Sequence, residues 1–298
     1  MILLSSEKRL DKAYKNAMTL PFDGHSKIII MSDCHRGQGN AGDNFLANQT
    51  VCFGALEYYL DNGFTYIELG DGDELWENRK LKTIVEVHSD IFWIMSEFYR
   101  RQRLYLVYGN HDIVKRSPDY MRKHCADYYC EQSRCQMPLL PDISVGEGLI
   151  LQNEELGKEL FLVHGHQGDF FNDVLWPLSR FLVRYVWRPL ELIGFLDPTG
   201  AGRPRKAKEG IERKLMSYAE KRKEILVAGH THRPVFSRHG EGYYFNDGSC
   251  VHPRCITGIE IVQNQITLVK WSVRADESRR LCVKREILEG PAEISEYM

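Results

Sequence analysis

The sequence predicts an α/β protein with layered sheets, and three observations predict it. Short runs of Ile, Val, Leu and Tyr at 27–31, 65–69, 104–108, 160–163 and 225–228 are continuous rather than alternating, as strands buried on both faces require. Between them, 48–59 and 84–100 carry apolar residues at helical intervals. Beyond residue 240 the helix signals fade, and strands are expected at 243–246, 258–262 and 265–271, the last two closing a hairpin across Asn264.

With 298 residues the chain can bury one sizeable core but is short for two independent domains. Hydrophobic residues make up 43% and charged residues 27%, the balance of a soluble globular protein. The 39 basic residues against 41 acidic leave a net charge of −2, so no overall positive field recommends nucleic acid as a partner. The start, Met1-Ile2-Leu3-Leu4, turns charged at Glu7 and Lys8, so no signal peptide is expected, and no apolar stretch is long enough to span a membrane. None of the eight cysteines forms a C-x-x-C pair, which suits a reducing cytoplasm. Cys125, Cys130 and Cys135, spaced by five beside His124, fit no common zinc pattern and read as plain thiols.

The expected organisation is a helical N-terminal extension over 1–24, its helix ending before Pro21, a main domain over 25–274 and a tail over 275–298. One segment within the domain, 169–224, differs in charge: 12 basic residues against 8 acidic. It ends in an amphipathic helix with Ile211, Leu215, Tyr218 and Ala219 on one face, and it reads as a helical, lid-like insertion between two strands.

Each of the five predicted strands is followed at once by a polar cluster: Ser32-Asp33-Cys34-His35, Gly70-Asp71-Gly72-Asp73-Glu74, Gly109-Asn110-His111-Asp112, His164-Gly165-His166 and Gly229-His230-Thr231-His232. In an open α/β sheet the carboxyl ends of the strands share one edge, where ligands bind, so the clusters should converge. They supply seven ligand candidates: the carboxylates of Asp33 and Asp71, the amide of Asn110, and the imidazoles of His35, His164, His230 and His232. Seven ligands exceed what one ion takes, so two divalent ions are expected, with Asp71 as a candidate bridge. Imidazole mixed with carboxylate suits manganese first, with iron or zinc as alternatives. Two such ions form a clamp for in-line attack at phosphorus, with hydroxide as the nucleophile. Asp73, Glu74 and His166 either touch metal or substrate or serve as supporting or helix-capping groups, and His25, His88, His239 and His252 belong to no motif.

These five motifs, in this order from Asp33 to His232, resemble the calcineurin-like metallophosphoesterases. The resemblance implies a four-layer α/β/β/α sandwich. It also implies that Asp33, His35, Asp71 and His232 hold one metal and that Asp71, Asn110, His164 and His230 hold the other. His111 would face the phosphate and protonate the leaving oxygen or stabilise its charge, oriented by Asp112. Asn246-Asp247-Gly248-Ser249 looks like the turn that follows the last histidines in many members.

The insertion bears on the substrate. Arg180, Arg184 and Arg188 recur every four residues and would form a cationic stripe on a helix, for substrate binding, among Trp176, Phe181, Leu182 and Trp187. Such a segment, 172–196, suits an anionic membrane surface or an acyl chain, although Pro177 and Pro189 interrupt it. The helical insertion, Glu74 with Trp76, and Gly229-His230-Thr231-His232-Arg233-Pro234 also resemble the UDP-diacylglucosamine pyrophosphatases. That subfamily has arginine where this chain has His111, and usually aspartate in place of His166. The expected function is therefore di-metal hydrolysis of a phosphoester or pyrophosphate, on a phosphorylated small molecule or a lipid-linked or nucleotide substrate. The alternatives are a nuclease or cyclic-nucleotide phosphodiesterase on the same scaffold, or a non-catalytic metal-binding module. A cytoplasmic protein, peripheral to the membrane if the insertion touches it, is the expected location.

Overall fold

A computed structural model describes residues 5–130, 134–187 and 205–297. The chain opens with helix α1 (Ser6–Lys15), strands β1 (Met18–Phe22) and β2 (Lys27–Met31), helix α2 (Gln49–Asp61) and strand β3 (Thr65–Leu69). Helices α3 (Leu81–Val87) and α4 (Ser89–Arg100), strand β4 (Leu104–Val107) and helix α5 (Pro118–His124) follow. Next come β5 (Asp127–Cys130), β6 (Cys135–Pro138), β7 (Val145–Gly146), β8 (Gly148–Asn153) and β9 (Lys158–Val163). The short helices α6 (Phe170–Asp173) and α7 (Trp176–Leu182) and the long α8 (Arg205–Arg222) make up the described insertion. Strands β10 (Ile225–Ala228), β11 (Val235–Phe236), β12 (Tyr244–Asn246), β13 (Cys255–Val262), β14 (Gln265–Ala275) and β15 (Leu281–Glu293) complete the fold.

Two sheets carry the architecture. One has the order β1-β8-β9-β10-β12-β11 and the other β15-β14-β13-β2-β3-β4-β7. Strand alternation explains how they stack. Ile28 and Ile30 of β2, with Ile67, Leu69 and Val107, face Leu149, Leu151, Leu160, Leu162, Ile225 and Val227 of the other sheet, forming the central core. Ile29, Met31 and Tyr66 point the opposite way, onto Cys52 and Leu56 of α2 and Ile94 and Phe98 of α4. On the far side Ile150, Phe161, Val163 and Leu226 pack under Leu10 of α1 and Ile211, Leu215, Tyr218 and Ala219 of α8. The result is the four-layer α/β/β/α sandwich. No described helix is long and apolar enough to cross a membrane.

The chain termini depart from expectation. Residues 18–22, expected within the helical extension, form a parallel edge strand on β8; Pro21 is tolerated because an edge strand needs no outward hydrogen bond from it. The expected tail contains β15, which pairs antiparallel with β14. Beyond it Ile294 and Tyr297 are buried in the central core. The helix expected over 84–100 is two helices, α3 and α4, joined at His88. The His88 ring is buried there between Asp43 Oδ2 (2.9 Å) and Gln49 Oε1 (3.0 Å). The described cysteines are free thiols: Cys125 is buried, Cys135 is exposed, and neither belongs to a metal-holding group.

Because Ile294 is only 1% exposed, Ile294→Ala should lower unfolding stability by about 2–5 kcal/mol in chemical denaturation. A loss below about 0.5 kcal/mol would show that the C-terminal segment is not part of the core.

Candidate metal centre

All five polar clusters lie at the carboxyl ends of β2, β3, β4, β9 and β10. Backbone hydrogen bonds knit neighbouring loops together: Asp33 N donates to Gly70 O (3.0 Å), His35 N to Asp71 O (2.9 Å) and Gly229 N to His164 O (3.0 Å). Asp33, His35, Asp71, His230 and His232 all adopt left-handed backbone conformations, with φ of 52°, 48°, 50°, 64° and 54°. Asp and His tolerate this region better than bulky residues do, and such strain collects at functional sites. It turns each side chain back over the strand ends. The loops are packed too tightly for added side chains. A Cβ at Gly109 would lie 2.1 Å from Asp71 Oδ1, and one at Gly229 would lie 2.2 Å from Ser32 Oγ and 2.6 Å from Asp33 Oδ2.

Among the described residues two clusters of ligand atoms result, and a third group, His35, Asp71 and His111, shares a residue with each. Asp33, His35 and His232 form one, with His35 Nε2 and His232 Nε2 3.3 Å apart and Asp33 Oδ1 3.1 Å from the latter. Asp71, His164 and His230 form the other, with His164 Nε2 3.0 Å from Asp71 Oδ2. The same Asp71 oxygen is 3.8 Å from His35 Nε2, so it lies between the clusters, where a bridging ligand belongs. His164 Nδ1 faces the carbonyl of Leu69 at 2.9 Å, which keeps a proton there and makes Nε2 the atom that would take a metal once it gives up its own proton. Asp33 Oδ1 and both amide atoms of Asn110 are buried without hydrogen-bond partners. Converging lone pairs on buried, unpartnered nitrogen and oxygen atoms fit divalent cations, and the donor types fit manganese, iron or zinc.

Charge is balanced across the site. Burial disfavours the Asp33 carboxylate, yet His232 and His164 hold its pKa well below the usual range; Asp71 is likewise held low by His164 and His111. Burial also opposes a charged His164, but Asp71 and Asp33 outweigh it and lift the ring's pKa to about 9.

His111 lies beside the clusters, its ring edge-on to His35 and stacked on Trp76 at 4.2 Å. Its Nδ1 meets Glu74 Oε1 at 2.8 Å, and Glu74 Oε2 also contacts His35 Nδ1 at 2.9 Å. Glu74, not Asp112, therefore orients His111. The Asp112 carboxylate turns away, accepting from Gly109 N (2.7 Å), Gly72 N (3.2 Å) and Lys115 Nζ (3.0 Å). Sequence spacing could not decide which of the two acids reaches the ring. Behind them, Arg36 is fully buried. It pairs bidentately with Glu68 (2.7 and 2.8 Å) and through Nε with Asp73 (2.7 Å), which also takes Lys115 Nζ at 2.7 Å.

Asp169 was not singled out from the sequence; its Oδ2 lies 3.3 Å from His230 Nε2. The signal was its position in the same segment after β9 as His164 and His166. His166 itself is buried with its ring 5.5 Å from that of His164 and belongs to neither ligand cluster. The arginines expected to form a cationic stripe meet different surroundings. Arg184 donates from Nε to Trp76 O (2.7 Å) and from Nη2 to Leu75 O (2.8 Å). Arg180 covers the Trp176 ring at 4.9 Å, and Arg188 lies outside the described residues.

In the metal-free protein a His164 pKa near 9 means a charged ring at pH 7, so metal uptake must expel a proton. Apparent metal affinity should rise between about pH 7 and 9, and calorimetry in buffers of different ionisation heat should register proton release. An affinity independent of pH would contradict this arrangement. Asp71→Ala should lower occupancy of both sites, read as metal content after gel filtration; two ions retained per chain would remove the bridge.

The family model described as calcineurin-like phosphoesterase matches residues 26–256. No curated protein sequence matches the chain significantly. Among solved structures, Chaetomium thermophilum Vps29 aligns with a TM-score of 0.38 at 12% identity, over 89% of this chain and 96% of Vps29. The same protein with a cyclic peptide gives 0.36 at 12% identity, over 88% and 95% of the two chains. A Staphylococcus aureus structure assigned as a 5′-nucleotidase, with α-ketoglutarate, gives 0.35 at 16% identity, over 88% of this chain and 53% of its own. On the family match, which spans most of the sequence and all five loops of the metal centre, the chain belongs to the calcineurin-like phosphoesterase family.

Proposed function

We propose that this protein is a metal-dependent hydrolase of a phosphoester or pyrophosphate. The observation that carries the reading is the setting of His111, with one ring nitrogen committed to Glu74 and the ring within the reach of His35 and Asp71. Asp33, His35, Asp71 and His232 would hold one divalent ion, and Asp71, Asn110, His164 and His230 the other, with manganese the ion of choice. Bound there, the ions would supply Lewis-acid polarisation of the phosphoryl group and activation of water.

The chain's own residues then act on geometry and protons. Glu74, its pKa held down to about 2 against burial by His111 and His35, is an anion at neutral pH and favours a proton on His111 Nδ1. With Nδ1–H held by Glu74, the other nitrogen, Nε2, would carry a second proton to the leaving oxygen and return to a lone pair as it gives that proton up. Trp76 holds the ring plane by stacking, and the indole face keeps water from one side of it. The helical insertion beside this loop supports a substrate with an apolar extension, a lipid-linked phosphoester in the manner of the UDP-diacylglucosamine pyrophosphatases, over a nucleic acid. The free thiols support a reducing, cytoplasmic setting.

The test is hydrolysis of a chromogenic phosphomonoester and phosphodiester with and without added Mn²⁺, alongside metal content. Mn²⁺-dependent turnover is expected; metal-loaded protein inert toward both esters and toward lipid pyrophosphates would defeat the proposal. His111→Ala should keep its metals and lose turnover by about 10²–10⁴-fold. Unchanged turnover in that variant would strip His111 of its role.

A further inference from the structure

The helical run that begins with α7 and continues as π-helical turns over Val183–Trp187 is built inside out. Leu178, Phe181, Leu182, Tyr185 and Val186 follow the i, i+3, i+4, i+7, i+8 spacing of a single helical face. That face points to solvent, each side chain being 41–56% exposed. The opposite face is pinned to the protein by buried Val183 and by Arg184, whose guanidinium donates to the carbonyls of Leu75 and Trp76. A soluble helix ordinarily buries its apolar stripe and hydrates its arginines. Here five large apolar side chains form one exposed patch within nine residues, which marks an interaction surface rather than scattered exposure.

The charges at its rim identify what covers it. Arg79, itself exposed, donates to the Tyr185 hydroxyl and lies 5.7 Å over that ring, with exposed Lys80 following in sequence. Arg180 stacks on Trp176. No acidic residue occurs from Val174 to Trp187. A second copy of the chain is a poor occupant, because a two-fold contact would set Arg79 and a run of described residues without an acid against their own copies. An apolar face with the exposed guanidinium of Arg79 at its rim, and with no acid among the described residues 174–187, matches an anionic lipid surface.

We propose that the face formed by Leu178, Phe181, Leu182, Tyr185 and Val186 docks the protein peripherally on anionic bilayers. The metal centre lies immediately behind it, since Arg184 is anchored to the two residues that follow Glu74. The proposal stands on the geometry of the insertion, and its test reads binding rather than turnover, so it survives or fails independently of the hydrolase reading.

The test is co-sedimentation with vesicles of phosphatidylcholine alone and of phosphatidylcholine mixed with phosphatidylglycerol, at low and high salt. The wild-type chain should bind the mixed vesicles, more weakly at high salt, and neglect the neutral ones. A Leu178→Ser/Phe181→Ser double variant should bind at least about tenfold less tightly, as loss of two inserted side chains requires. Arg79→Gln should weaken binding about fivefold. Leu281→Ser, at a residue 77% exposed on β15, should bind as wild type does. Circular dichroism of each variant should match the wild type, since all these positions are on the surface. Failure to bind mixed vesicles at low salt would overturn the proposal, as would undiminished binding by the double variant. So would a dimer in light scattering that the double variant abolishes, because the face would then belong to a second copy.

Discussion

The buried guanidinium of Arg36 is the constraint on which the metal centre depends. It follows the candidate ligand His35 directly, and its partner Asp73 lies two residues after the candidate ligand Asp71. Lys115 continues the chain from Asp73 to Asp112, beside His111. Three loops that each contribute candidate ligands or His111 on one side are thus tied by opposite charges on the other. Burial opposes every charge in the set, but Arg36 and Lys115 hold the pKa of Asp73 to about 2. Such a set is costly to assemble and far more costly to break, about 3–5 kcal/mol for removal of one buried partner. Its value lies in register. It holds the strand ends where left-handed ligand residues can point inward, and it does so without any part of the network touching the ligand clusters.

Much of this was legible from sequence because each ligand stands directly after a continuous apolar strand. Lys27–Met31 ends two residues before Asp33, and Ile225–Ala228 two residues before His230, so the strand pattern and the motifs locate each other. The elements that escaped lack such agreement between pattern and role. Pro21 hides an edge strand, and Lys284, Arg285 and Glu286 break up the apolar signal of β15. At His88 a buried polar ring ends one helix and starts the next without a glycine or proline to announce it.

Two features that the sequence left open share a cause: spacing defines faces and distances along the chain but not which face turns inward. Asp112, adjacent to His111, was the obvious orienting acid. Glu74, from a different loop, has the geometry instead, because the β3 loop crosses over that of β4. The arginines of the insertion do recur every four residues, yet Arg184 is the buried side of its helix and the hydrophobic residues are the exposed one. Helical periodicity is symmetric under that inversion, and only tertiary contact decides between the two.

The tight interleaving at Gly109 and Gly229 has a kinetic consequence. Space denied to a side chain at Gly109 is filled by Asp71 from the neighbouring loop, and that at Gly229 by Ser32 and Asp33 from a strand far away in sequence. No loop of the centre can thus reach its final shape before its neighbours arrive. Contacts of such long sequence separation form slowly, after local helices and hairpins have already condensed. The high-affinity cavity should accordingly be absent from early compact states and emerge only with native registration of both sheets. Divalent ions would then slow unfolding far more than they speed folding, and metal uptake after dilution from denaturant would act as a clock for the last step of assembly.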